Sequence, residues 1–356
     1  MGSKGSKTEG AKPKVQRSVE EMIIVDVMME EGEHDGDKLH LNLDKSVIED
    51  SGHSELTPEG LESVLTRVRK DRKKLYKLTV MFNKTHGKGL GNFLSNDMHV
   101  KEVTVLFEGI SEEAMSEMTE GMIANITVRK LMLGGEELGE HASQCLSKLL
   151  TASLTLNELV LYNCSFGDNG TEKLSSGLAV NDNLVTLDLH YCLVGDKGAE
   201  KLAESITNHP KLERLYLRHN RIGPAGALAL ARILESAPKL RELSLGYNGV
   251  EGRGAMAIFS SLESTSILEY LDLGANDISS SRHAGSLRLA RTVAVALPKN
   301  SSLLQLNMRK NDLDMDACCL IRAAWVGMSN HRNQAPRTAA NDKPLSDGLY
   351  LPVEGL

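Results

Sequence analysis

The chain is 356 residues long with 41% hydrophobic, 25% charged and only 4% aromatic side chains, so a core built from it is mostly aliphatic. A formal charge of -7 argues against non-specific nucleic-acid binding, which needs a net basic surface. No uninterrupted apolar stretch approaches the ~18 residues of a membrane span, and five cysteines without a C-x-x-C pair read as reduced packing residues.

Residues 1–19 form a basic arm. Met1-Gly2-Ser3-Lys4-Gly5-Ser6 matches the N-myristoylation pattern, which makes Gly2 the expected lipidation site. One acyl chain holds a membrane only marginally, and Lys4, Lys7, Lys12, Lys14 and Arg17 supply the second signal toward an anionic surface. With no apolar secretory segment in the first twenty residues, the expectation is a cytoplasmic protein, peripheral at the cytosolic face of a membrane. Residues 20–37 then hold eight acidic residues and no Lys or Arg, a segment that an anionic membrane would repel.

Residues 38–74 are expected to cap a larger structure. A strand falls near Leu39 to Leu43, in a register that the pattern leaves open. Thr57-Pro58 then opens a helix with Leu61, Val64, Leu65 and Val68 on one face.

From 75 to 328 the sequence repeats. Units of the form L-x-x-L-x-L-x-x-(N/C) begin at Val100, Val128, Leu156, Leu184, Leu212, Leu240 and Leu268, each 28 residues after the last, and a further unit opens at Leu303 after 35. The alternation Leu187, Leu189 predicts a short strand with leucines inward. Asn83, Cys164, Cys192, Asn220, Asn248, Asn276 and Asn311 stand where the chain leaves the strand, placed to satisfy backbone groups. The period then changes: Thr171, Leu174, Ser175 and Leu178, with their equivalents 28, 56 and 84 residues on, predict one amphipathic helix per coil. Gly170, Gly198, Gly226 and Gly254 recur where these helices begin, consistent with a tight turn or a close approach of backbones.

The motif from Leu212 to Leu234 resembles the ribonuclease-inhibitor-like leucine-rich repeats, and is similar to the repeat domains of NOD-like receptors and of the Ran GTPase activator. The resemblance covers roughly residues 75 to 328. It implies an α/β leucine-rich-repeat solenoid, a horseshoe with parallel strands on the concave face and helices on the convex face, used for protein-protein recognition. Asp314 to Met328, with the single tryptophan Trp325, is expected to close the far end, and residues 329–356 to form a flexible tail. The extra seven residues between Asp277 and Leu303 are expected as a rim or convex loop.

Strand residues 28 apart form columns about 4.8 Å apart on the concave face. Five of the seven tyrosines (Tyr162, Tyr191, Tyr216, Tyr247, Tyr270) fall on or at the edge of this face, with His190, His219, Arg214, Arg218 and Arg309. Tyr and Arg are enriched at binding hot spots, so these ten residues are the expected protein-binding site. His190 points away from Cys164 and Cys192, which leaves no metal site, and no nucleophile elbow or oxyanion hole is in view. The expectation is a scaffold or adaptor, not an enzyme, with no cofactor. The runner-up is a small-GTPase regulator resembling the Ran activator, for which Arg129, Arg214, Arg218 and Arg309 are available, although the acidic tail of that family is missing.

Overall fold

The computed structural model describes residues 38–43, 61–62, 64–66, 74–82, 87–107, 109–135, 138–265, 267–279, 283–329 and 348–351. Gly2, the basic residues of the arm, the acidic segment and Asn83 lie outside them.

Eleven strands form one sheet in sequence order: β1 (Lys38–Leu43), β2 (Lys74–Phe82), β3 (Glu102–Phe107), β4 (Lys130–Gly135), β5 (Glu158–Tyr162), β6 (Thr186–Asp188), β7 (Arg214–Tyr216), β8 (Glu242–Ser244), β9 (Tyr270–Asp272), β10 (Gln305–Asn307) and β11 (Leu349–Tyr350). Every neighbouring pair is parallel. From β4 to β9 the register advances by 28 residues per strand, as in Glu158↔Thr186↔Arg214↔Glu242↔Tyr270. The open register at the amino end resolves as Leu39↔Leu75 and Leu41↔Leu78, with an irregularity between Leu39 and His40.

Helices return the chain behind the sheet: α1 (Gly87–Asn96), α2 (Glu112–Ala124), α3 (Glu140–Ala152), α4 (Gly167–Leu178), α5 (Asp196–Ile206), α6 (Pro224–Ser236), α7 (Glu251–Ser261), α8 (His283–Ala296) and α9 (Met315–Ser329). The apolar stripes read from the sequence are buried, as with Ala199, Leu202, Ala203 and Ile206, and they meet the inward leucines of the strands in one continuous core. A 3₁₀ turn at Leu297–Lys299 lengthens the return after α8 and takes up part of the extra seven residues.

The recurrent helix glycines reflect close approach, not a left-handed turn. A Cβ on Gly198 would meet Asp168 Oδ1 at 2.8 Å, and one on Gly226 would meet Asp196 Oδ1 at 2.7 Å. Those carboxylates accept from the backbone N–H groups of Gly195 and Gly198, and of Gly223 and Gly226, so each aspartate caps the helix of the next coil.

At the far end Trp325 is buried within α9, where a closing lid belongs. Residues 329–356 do not form only a flexible tail. Leu349–Tyr350 pairs with Leu306–Asn307, and Leu349, Tyr350 and Leu351 are buried, so the segment contributes a last strand that covers the β10 edge. The five cysteines are free thiols, four of them buried, but Cys319 is exposed and so is not the packing residue expected.

Candidate functional site on the open face of the sheet

From β5 to β10 each coil leaves the strand through a left-handed residue. Asn163, Tyr191, His219, Tyr247, Ala275 and Lys310 have φ between 54° and 57°. The next residue faces inward and ties two coils together. Asn220 Nδ2 donates to Leu189 O at 2.8 Å and Asn248 Nδ2 to Leu217 O at 2.9 Å, and Asn276 and Asn311 repeat the bond to Leu245 O and Leu273 O. Their side-chain oxygens accept from backbone N–H groups of the preceding coil, as Asn220 does from Val194 and Asn276 from Val250. Cys164 and Cys192 make the weaker thiol version, to Leu133 O at 3.5 Å and Leu161 O at 3.1 Å. A bond to the Cys192 thiol, with burial, pushes the Cys164 pKa up, so Cys164 remains a protonated packing group.

A second column escaped sequence reading. Apart from Ala237 and Thr265 in two of the coils, the residues three before a unit's first position are Asp97, Asn125, Ser153, Asn181, His209 and Asn300. In each case a side-chain oxygen, or His209 Nδ1, accepts from the two backbone N–H groups that start the next strand. The 28-residue spacing was the available signal, hidden because six residue types share the position. Burial holds the His209 pKa below the ordinary histidine range.

The left-handed column projects its rings from the sheet face opposite the helices. Tyr191 and His219 stack with centroids 4.2 Å apart at 9°, and His219 and Tyr247 at 4.1 Å and 20°. Tyr162 closes one end edge-on to Tyr191 at 5.4 Å. At the other end Lys310 Nζ donates to the Tyr247 hydroxyl at 2.6 Å, and the Arg218 guanidinium lies 4.8 Å from the same ring's centre. The bond from Lys310 lowers the Tyr247 pKa. Burial, followed by the charge of Arg218, lowers that of His219, which favours the neutral imidazole between its two tyrosines.

Beside this ladder runs a polar network. His190 pairs with Asp188 and lies 6.1 Å from Tyr216, whose hydroxyl donates to Glu242; burial raises the Tyr216 pKa. Asp272 is fully buried and accepts from Ser244 Oγ at 3.1 Å, Asn307 Nδ2 at 2.8 Å and Gly274 N at 2.9 Å, with Arg218 3.6 Å away. Gly246 leaves room for that carboxylate, since a Cβ there would meet Asp272 Oδ2 at 2.6 Å.

The structure thus joins Tyr162, Tyr191, His219 and Tyr247 in one row, with His190, Tyr216 and Arg218 alongside. The remaining three expected residues stand apart. Arg214 donates to Thr186 Oγ1 at 2.8 Å in the strand-start column, Tyr270 is half-buried, and Arg309 lies 4.6 Å from the Tyr350 ring of β11. Lys310 and Tyr350 were missed. Lys310 shares the column of Tyr247, but Tyr350 lies beyond the repeat and carries no periodic signal. Among the described residues no cluster of three His, Cys, Asp or Glu side chains could hold a metal ion, and no helix is long and apolar enough to cross a membrane.

Parallel single-sheet topology, a helix in each return and the ladder residues define an α/β leucine-rich-repeat solenoid. The profile described as Leucine Rich repeat matches residues 180–203, 208–231 and 236–259, three consecutive coils of the regular part. Among solved structures the chain is similar to Leiomodin-1 Actin-Binding Site 2, at 15% identity and a TM-score of 0.37, covering 46% of this chain and 90% of that one. It is also similar to a protein from Bacteroides fragilis, at 13% identity and a TM-score of 0.38, covering 72% and 83%. No curated protein sequence matches it.

Proposed function

We propose that this protein is a non-catalytic interaction scaffold whose open sheet face binds a protein partner through the Tyr162, Tyr191, His219, Tyr247 row and the cations beside it. The carrying observation is where the rings sit. A left-handed backbone costs a residue with a Cβ about 1 kcal/mol, glycine and asparagine least, yet the chain places Tyr191, His219 and Tyr247 there. Core packing does not require them, because their rings stand outside the leucine core. Rigid rings held in advance, with hydroxyls and an imidazole at their edges, suit recognition of another protein.

The test is affinity capture with wild type and with Tyr191→Ala/His219→Ala/Tyr247→Ala, using Leu228→Ala on α6 as control. The triple variant is expected to lose at least tenfold in partner affinity, the size of effect hot-spot residues produce. Unchanged capture by the triple variant would move the site elsewhere.

The same reading assigns the chain to the ribonuclease-inhibitor-like subclass, on its helix-backed 28-residue coil, and tethers it to the cytosolic face of a membrane through Gly2 and the arm. Intact mass after co-expression with an N-myristoyltransferase should rise by one acyl group and not do so in Gly2→Ala. Arg214, Arg218 and Arg309 hold the internal partners described above, so a small-GTPase regulator would have to act through Arg129, which lies away from the ring row.

A further inference from the structure

The helix-to-strand turns of the amino-terminal coils carry a feature that the regular coils lack. Met98, Ile126 and Leu154 occupy one position in three successive turns and are 57%, 59% and 80% exposed, and Val180, two residues before that position in the next turn, is 61% exposed. The row stops there: the position is filled by Asp182, then Pro210 and Pro238. Three residues beyond Met98 and Ile126 stand Lys101 and Arg129. Among the described residues Lys101 has no ion pair, and Arg129 reaches only the Thr155 carbonyl at 3.3 Å.

The carboxylates nearby are already engaged, Glu102 facing Lys77 at 3.9 Å and Glu158 bonded to Lys130 at 2.8 Å. Lys101, Arg129, Lys130 and Arg214, together with these two glutamates, help line a shallow depression of about 530 Å³. Two unneutralised cations therefore flank a line of projecting apolar side chains in a chain whose formal charge is -7.

We infer that this edge is a lipid-contact surface that inserts Met98, Ile126, Leu154 and Val180 at the acyl boundary of an anionic membrane while Lys101 and Arg129 meet the headgroup phosphates. Shape and charge decide for lipid over a protein partner. Hot spots on protein interfaces fill pockets, whereas these side chains stand in a single row at the outermost turns. A bilayer asks for no shape complementarity, only apolar side chains at one level with cations just above them. The backbone offers no strand-like edge either, since the carbonyls of Lys101, Arg129 and Asn157 each accept two N–H groups of the next coil.

The surface does not depend on acylation, so the test uses the full chain carrying Gly2→Ala. Vesicles of phosphatidylcholine alone are compared with vesicles containing about one third phosphatidylserine, and the unchanged basic arm serves as a common background. Ile126→Asp/Leu154→Asp should bind the anionic vesicles about tenfold more weakly, while Leu228→Asp on α6 should match the parent. In a Cys319→Ser background, an environment-sensitive dye on Leu154→Cys should brighten and shift to the blue on anionic vesicles, and the same dye on Leu228→Cys should not.

Equal partitioning of Ile126→Asp/Leu154→Asp and parent, or a dye at 154 that stays in water, would overturn the inference. Loss of binding in Lys101→Gln/Arg129→Gln but not in the aspartate variant would also do so, by reducing the contact to charge alone. Self-association without lipid that the aspartate variant abolishes would give the row to a second copy instead.

Discussion

The amino-terminal coils up to β4 and the coils from β5 onward belong to one parallel sheet, with a 28-residue step from β3 to β9, but are held together by different means. In the first group the strands are six residues or longer, and where β3 and β4 end the positive φ angles fall on glycines, Gly109 and Gly135, not on residues with a side chain. The helices behind them meet backbone to backbone: a Cβ on Gly121 would fall onto the Gly91 carbonyl oxygen. In the second group the strands shorten to three residues by β6, because a left-handed residue ends each one and an inward amide takes over the bonding between coils. Shortening the strand is what lifts Tyr191, His219 and Tyr247 clear of the sheet. The first group keeps apolar residues such as Leu106 and Met132 on its open face and exposes its apolar row at the turns instead.

Removing an inward amide should affect the second group most. Asn276→Ala leaves Leu245 O and the Val250 N–H buried without their partner, and should cost about 3 kcal/mol, read as a lower denaturation midpoint. If it is neutral, the amide ladder does not hold these coils.

A smaller effect sharpens the argument about the left-handed column. Ala275 sits there with φ of 54° and carries no ring, so Ala275→Gly should stabilise by roughly 0.5 kcal/mol, the relief of strain exceeding the entropy cost of glycine. A destabilised Ala275→Gly would mean that the column is not strained and that its rings need no functional explanation.

The smallest effect concerns pH. His209 is buried, with its folded-state pKa below the ordinary value of 6.5, so the unfolded chain takes up the proton more readily. The stability that neutral His209 contributes is complete above about pH 6.5 and is lost as pH falls from there toward the folded-state value. His209→Asn installs the residue found at the same position in Asn125, Asn181 and Asn300, and should flatten the dependence of the melting temperature on pH between 7 and 5. Parallel pH curves for the two proteins would contradict this account of the turn column.

Much of this was legible in the sequence because the period is constant. Leu187 and Leu189 announced a strand, Ala199 to Ile206 a helix, and the 28-residue step set which residues would be neighbours across the sheet. The stack of Tyr191, His219 and Tyr247 followed from that step, while Tyr162 joins it from one residue before the column. What was not legible depended on partners at irregular distance. The 28-residue step puts Asp272 in the open-face column of Asp188 and Tyr216, yet it is fully buried, because Asn307 arrives 35 residues later after the long coil and Gly246 clears the space. Arg309 was expected to be open to a partner until the strand at Leu349–Tyr350, far beyond the last repeat, came to lie beside it. The exposure of Met98, Ile126 and Leu154 was hidden for the opposite reason, since apolar residues at constant spacing read as core until the turn that carries them is seen.

Site-specific photo-cross-linking tests the central claim most directly. A benzophenone amino acid replacing Tyr191 or Tyr247 should join the protein covalently to its partner, and the same group replacing Leu228 on α6 should not. Cross-links arising from position 228 alone would contradict the account, because recognition would then belong to the helical side and not to the rings of the open sheet.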